Sequence, residues 1–146
     1  MSDSDLIKLY SKQILALASQ IPHVGQLTTP EGEAKVRSPL CGSTVSAQVV
    51  MKNGKVADFA QNVKACALGQ TSAALLGKVV IGLEKEVIQR GRDQLATMLR
   101  DQGPVPAPPF EGFEVLIPAR DYRNRHASIL LAFDAVLQAI ENSAES

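Results

Sequence analysis

The sequence predicts an α+β domain in which helices cover a small three-stranded antiparallel sheet. Three observations lead there. Asn53-Gly54 sits between two runs suited to strands, and Asn-Gly is the favoured centre of a tight hairpin turn because both positions take positive φ. Apolar residues recur at helical spacing near both ends of the chain. The chain has 146 residues and is 45% hydrophobic, enough for one compact domain over residues 1–146 with a core of its own.

Leu6, Ile7, Tyr10, Ile14, Leu17, Ala18 and Ile21 mark an amphipathic helix from about Ser4 to about Gln20, stopping before Pro22. Gly25 to Gly32 is turn-rich. A short strand follows through Ala34, Val36 and Ser38. In the hairpin, Val45, Ala47, Val49 and Met51 alternate with polar or small residues, and after Lys52-Asn53-Gly54-Lys55 a second run extends from Val56 to Val63. Small, helix-compatible residues fill Cys66 to Leu76, and Gly77 is expected to close that helix. Another helix carries Leu83, Val87, Ile88, Leu95, Met98 and Leu99 on one face, with Gly91 weakening its middle. The run from Gly103 to Pro109 reads as a surface loop, because proline removes backbone donors and restricts its neighbour. Ile129, Leu130, Phe133, Val136, Leu137 and Ile140 define a last helix, with fraying from Glu141 to Ser146.

Composition removes several function classes. Fifteen Lys and Arg balance fifteen Asp and Glu with no arginine-rich run, which argues against a nucleic-acid partner. The N-terminus lacks the basic and apolar regions of a signal peptide, and no stretch reaches the ~18 apolar residues of a membrane span. A cytoplasmic protein is expected, with no membrane partner. Gly69, Gly77 and Gly82 lack the spacing of a phosphate-binding loop, and there is no Gly-x-Ser-x-Gly elbow, so an enzyme is not expected.

Chemistry concentrates at the two cysteines, Cys41 and Cys66. One leaves just before the outgoing strand of the hairpin and the other just after the returning strand, so the fold-back brings them to the same end of the sheet. In a reducing compartment such a pair is more often free thiols, metal ligands or catalytic groups than a disulfide. At the start of a helix, Cys66 meets unpaired backbone N–H groups that favour the thiolate, with Lys64 close by. The alternative is a small buried core residue. Pro39 and Gly42 flank Cys41 in a loop shaped for close backbone approach.

Several segments together resemble the U-type iron–sulfur cluster assembly scaffolds: IscU, SufU and the N-terminal domain of NifU. Leu9-Tyr10 followed by His23-Val24-Gly25 is similar to the family's first helix and Asn-x-Gly turn. Cys41-Gly42-Ser43 resembles its Cys-Gly-Asp, Cys66 its second cysteine, and His126-Ala127-Ser128-Ile129-Leu130 its His-Cys-Ser-Ile-Leu. Two family ligands are replaced, since Ser43 stands for the aspartate and Ala127 for the third cysteine, and extra residues around Asp121-Tyr122-Arg123-Asn124 precede the histidine.

The resemblance implies an IscU/SufE-like fold, a metal or cofactor site of Cys41, Cys66 and His126, a cysteine desulfurase as donor and apo iron–sulfur proteins as acceptors. A [2Fe-2S] cluster takes four protein ligands, so this donor set falls short unless water, a small thiol, a partner or a second protomer contributes. Tetrahedral zinc accepts three protein ligands plus water, and zinc or iron is therefore expected before a stable cluster. His126 read alone is a surface or backbone-bonded residue more often than a ligand, and His23 reads as loop structure. Arg120, Arg123 and Arg125 either hold an acidic partner tail or solvate the helix entrance, the second being the plainer reading. The alternative function is a degenerate paralogue that binds zinc, regulates assembly or serves as an interaction module. In that last case the two long amphipathic helices would form the face of a homo-oligomer.

Overall fold

The structure, a computed structural model, describes residues 11–39 and 42–143. Helix α1, Lys12–Ala18, is capped by Ser11, whose hydroxyl accepts the Ile14 N–H at 3.3 Å. It ends before Pro22 as expected, but Ser11 is extended, with ψ 163°, so the helix begins at Lys12 rather than running on unbroken from a start near Ser4, a position outside the described residues.

Strands β1 (Gly32–Arg37), β2 (Thr44–Lys52) and β3 (Lys55–Lys64) form one antiparallel sheet in that order. Asn53 and Gly54, at φ 54° and 76°, make the turn with both residues left-handed, as the dipeptide predicts. The predicted alternation is realised: Val45, Ala47, Val49 and Met51 are buried on the inner face. At Gly32, the first residue of β1, a Cβ would collide with the carbonyl oxygen of Ala139, so only glycine allows the strand to lie this close to the last helix.

Three long helices follow: α2 (Ala67–Val79), α3 (Lys85–Asp101) and α4 (His126–Glu141). α4 is the central element, packed on β1 and β2 on one side and against α2 and α3 on the other. Of its predicted stripe, Ile129, Phe133, Val136, Leu137 and Ile140 are buried, whereas Leu130 is only half-buried. At roughly 1.5–3 kcal/mol for each large apolar side chain removed from water, this stripe is a main source of the fold's stability. Phe133 meets Phe110 and Phe113 at centroid distances of 5.5 and 5.4 Å, forming an aromatic cluster under α3.

Two segments differ from expectation. Gly77 does not close α2, which continues to Val79; a Cβ at Gly77 would lie 2.9 Å from both Gln61 Nε2 and Pro22 Cγ. The glycine serves close packing within a helix rather than its termination. After the proline-rich loop, Glu111–Asp121 and Arg123–Arg125 are 3₁₀ helices to which the sequence reading assigned no element. Phe110, Phe113, Leu116 and Ala119 are all buried and spaced by three, matching three residues per turn rather than the α period.

Candidate functional site

The open end of the hairpin positions the site. Arg37, Thr44 and Lys64 form the last cross-strand row, and beyond it the chain turns into the 38–43 loop on one side and Cys66 on the other. That loop is closed on its described residues: the Ser38 N–H donates to Ser43 O at 2.8 Å and the Gly42 N–H to Ser38 O at 3.0 Å. Cys41, within it, lies outside the described residues.

Cys66 opens α2 as the sequence predicts. It is the N-cap, its carbonyl accepts the Gln70 N–H at 2.9 Å, and its side chain makes no cap hydrogen bond. Instead the half-buried free thiol reaches α4, with Sγ 3.7 Å from Ser128 Oγ. Ser128 in turn donates to Ser43 Oγ at 3.2 Å. Both serines are buried, so the contact joins the hairpin, α2 and α4 through a line of polar groups in an otherwise apolar region. Gly69 makes room for it, since a Cβ at that position would lie 2.6 Å from Ser128 Oγ. The sequence reading missed Ser128 and Gly69 as site residues. Gly69 carries a local signal in its place one turn after Cys66, whereas the role of Ser128 depends on the packing of α2 on α4.

His126 opens α4, and its Nε2 lies 2.9 Å from the Ala119 carbonyl oxygen. A ring that donates through Nε2 keeps the Nδ1 lone pair for another partner, the arrangement usual for metal-binding histidines. Ala127 next to it is half-exposed and supplies only a methyl group. Among the described residues, no three His, Cys, Asp or Glu side chains gather within reach of one ion. The chemistry available is therefore a thiol at the positive end of a helix with a buried hydroxyl beside it, a setting suited to a soft cation or to sulfur.

The flanking basic residues have separate roles. Arg120 ties the end of α3, donating through Nε to Met98 O at 2.9 Å and through Nη2 to Gly103 O at 2.6 Å. This replaces the expectation that it only solvates the helix entrance. Arg123 is exposed, and the buried Nε of Arg125 has no hydrogen-bond partner among the described residues. His23 belongs to loop structure, with φ 60° and its ring edge-on to Phe59 at 5.9 Å. No helix among the described residues is long and apolar enough to cross a membrane.

No protein-family model matches the sequence. The iron–sulfur cluster assembly scaffold protein IscU of Streptococcus pyogenes serotype M1 is 26% identical over 146 residues, spanning 100% of this chain and 91% of that protein. Among solved structures, FiSufU from Fervidobacterium islandicum AW-1 superposes with a TM-score of 0.82 at 16% identity, covering 91% of this chain and 97% of that one, and so shares the fold. The N-terminal part of a nitrogen-fixing NifU-like protein from Brucella abortus superposes with a TM-score of 0.90 at 43% identity, covering 94% of this chain and 96% of that one. With that identity over nearly the whole of both chains, this protein belongs to the NifU N-terminal, IscU-like family of iron–sulfur cluster assembly scaffolds.

Proposed function

We propose that this protein is a non-enzymatic carrier in iron–sulfur cluster assembly. In this reading it holds iron, zinc or a [2Fe-2S] cluster as cargo through Cys41, Cys66 and His126, in the cytoplasm. A cysteine desulfurase supplies sulfur and apo iron–sulfur proteins receive the product. The observation that supports this most is the placement of Cys66: a free, half-buried thiol at a helix N-terminus, at the hairpin end, touching the helix that His126 opens. A thiol held there can bind metal, whereas a thiol sealed in the core could not.

Ser43 and Ala127 make the donor set poorer than in the family pattern. With two thiolates and one imidazole, the fourth position of a tetrahedral ion falls to water or to a group of the receiving protein. Such a site should release its cargo readily. The test is transfer. Anaerobic protein supplied with ferrous iron, a desulfurase, cysteine as its sulfur source and a thiol reductant to bring the persulfide sulfur to sulfide should pass a cluster to an apo-ferredoxin, faster than iron and sulfide do in free solution. A Cys66→Ser variant should fall to the free-solution rate. Equal rates for the wild type and free solution would refute the carrier role.

A further inference from the structure

The outer face of the sheet carries charge sorted by end. The pairing Arg37–Thr44–Lys64 is followed along the strands by Lys35–Ser46–Asn62 and then by Glu33–Gln48–Ala60. These residues alternate with the buried set Val45, Ala47 and Val49, so all of them face outward. Lys35, Arg37 and Lys64 therefore stand together, exposed, at the end from which the chain passes to Cys66. The acidic groups lie toward the other end and are engaged. Glu33 accepts from Gln48 Nε2 at 3.1 Å, Glu31 from the Met51 N–H at 2.7 Å and Asp58 from the Phe59 N–H at 2.9 Å.

Arg92, Arg100 and Lys85 pair with Asp134, Asp101 and Glu141, and Arg90 and Arg120 hold backbone carbonyls. Lys35, Arg37 and Lys64 have no ion pair or hydrogen bond to another described residue. The Arg37 guanidinium lies over Gly42, with Nη2 3.8 Å from where a Cβ on that glycine would sit, so it borders the Cys41 loop. Beside Lys35 a depression of about 410 Å³ is lined by Ser46, Gln48 and Asn62 together with Gly25, Gln26 and the carboxylate of Glu33. Lys35 and Arg37 on β1 and Lys64 on β3 carry like charge on either side of β2, and none is in an ion pair with a described residue.

We propose that this end of the outer face docks an acidic segment of a partner protein, with Lys35, Arg37 and Lys64 receiving its carboxylates. The docked partner is thereby held beside Cys66. That it exchanges sulfur or cluster there rests on the carrier reading above; the docking itself does not. A nucleic acid fits less well, because the outward rows contain no aromatic ring on which a base could stack.

The test uses the full chain and a fluorescein-labelled decaglutamate peptide, with binding read by anisotropy at about 20 mM salt, where surface charges are little screened. Arg37→Glu/Lys64→Glu should weaken binding by about tenfold or more, since reversal replaces attraction with repulsion. Lys52→Glu/Lys55→Glu makes the same charge change at the hairpin turn and should change binding less than about twofold. Equal losses in both pairs, or no binding by the wild type, would overturn the proposal. So would an oligothymidylate of matched charge binding as tightly as the peptide. Cys66→Ser separates the two readings. It should leave peptide binding intact while abolishing cluster transfer, so failure of transfer in the wild type would count against the carrier role and not against docking.

Discussion

The thiol of Cys66 and the hydroxyl of Ser128 meet at 3.7 Å across 62 residues of chain. Ser128 is the joint between the hairpin and the two helices at this end, since its own proton goes to Ser43 Oγ at 3.2 Å. Were a metal to displace the Cys66 proton to solvent, the Ser128 hydroxyl could turn and donate to the sulfur, as outer-shell groups around metal ligands commonly do. Ser128→Ala should therefore weaken zinc binding by about tenfold. The same change should cost only about 1 kcal/mol of folding stability, the usual net value of one neutral hydrogen bond. Equilibrium zinc titration and urea unfolding of the same variant separate the two effects.

Gly91 sits in α3 directly under the Phe110 ring, where a Cβ would collide with it. Helix propensity alone favours Gly91→Ala by about 1 kcal/mol. Overpacking a filled core costs about 1–3 kcal/mol, and Phe110 is held in place by Phe113 and Phe133. The clash should win. Urea unfolding should show Gly91→Ala to be less stable than the wild type.

Arg120 joins the last turn of α3 to the loop after it through two carbonyl oxygens. Arg120→Ala leaves the Met98 and Gly103 carbonyls without that donor. Hydrogen bonds to a charged group are worth about 1.5–3 kcal/mol, so a loss of about 2 kcal/mol is expected from urea unfolding. Arg120→Lys should recover only part of it, because a single ammonium cannot reproduce the fixed fork of the guanidinium.

Ala127 is half-exposed and follows His126 at the start of α4. Ala127→Cys adds a third thiolate at this end of the molecule without filling a packed space. A cluster takes four protein ligands, usually thiolates, so the variant should retain a reconstituted cluster longer than the wild type, followed by its visible absorption under anaerobic dilution. Equal lifetimes would show that the third ligand comes from elsewhere.

Much of the fold is legible in the sequence because its local signals agree with its tertiary demands. Asn53-Gly54 demands the turn, the period of two around Val45 and Val49 picks the buried face, and the Ile129-to-Ile140 stripe finds the central helix. Gly77 misleads because a glycine that permits close approach looks the same in sequence as one that ends a helix. The 3₁₀ segment escapes a search tuned to a period of 3.6, although Phe110, Phe113, Leu116 and Ala119 record its period of three. At the site, Cys66 is visible through its position before a helix of small residues. Ser128 is not, because its contact with Cys66 depends on the packing of α2 on α4, which no local pattern encodes. The basic rim is equally hidden, since Arg37 and Lys64 become neighbours only through the register of a sheet that pairs each with Thr44.

Whether Cys66 belongs to a metal-holding site is decided by anaerobic titration of the reduced protein with zinc. The wild type should bind one ion per chain, in the open three-ligand-plus-water form that zinc accepts. Cys66→Ser should lose that ion while keeping its fold by circular dichroism. Undiminished binding by Cys66→Ser, or no binding by the wild type, would rule out a metal site at Cys66.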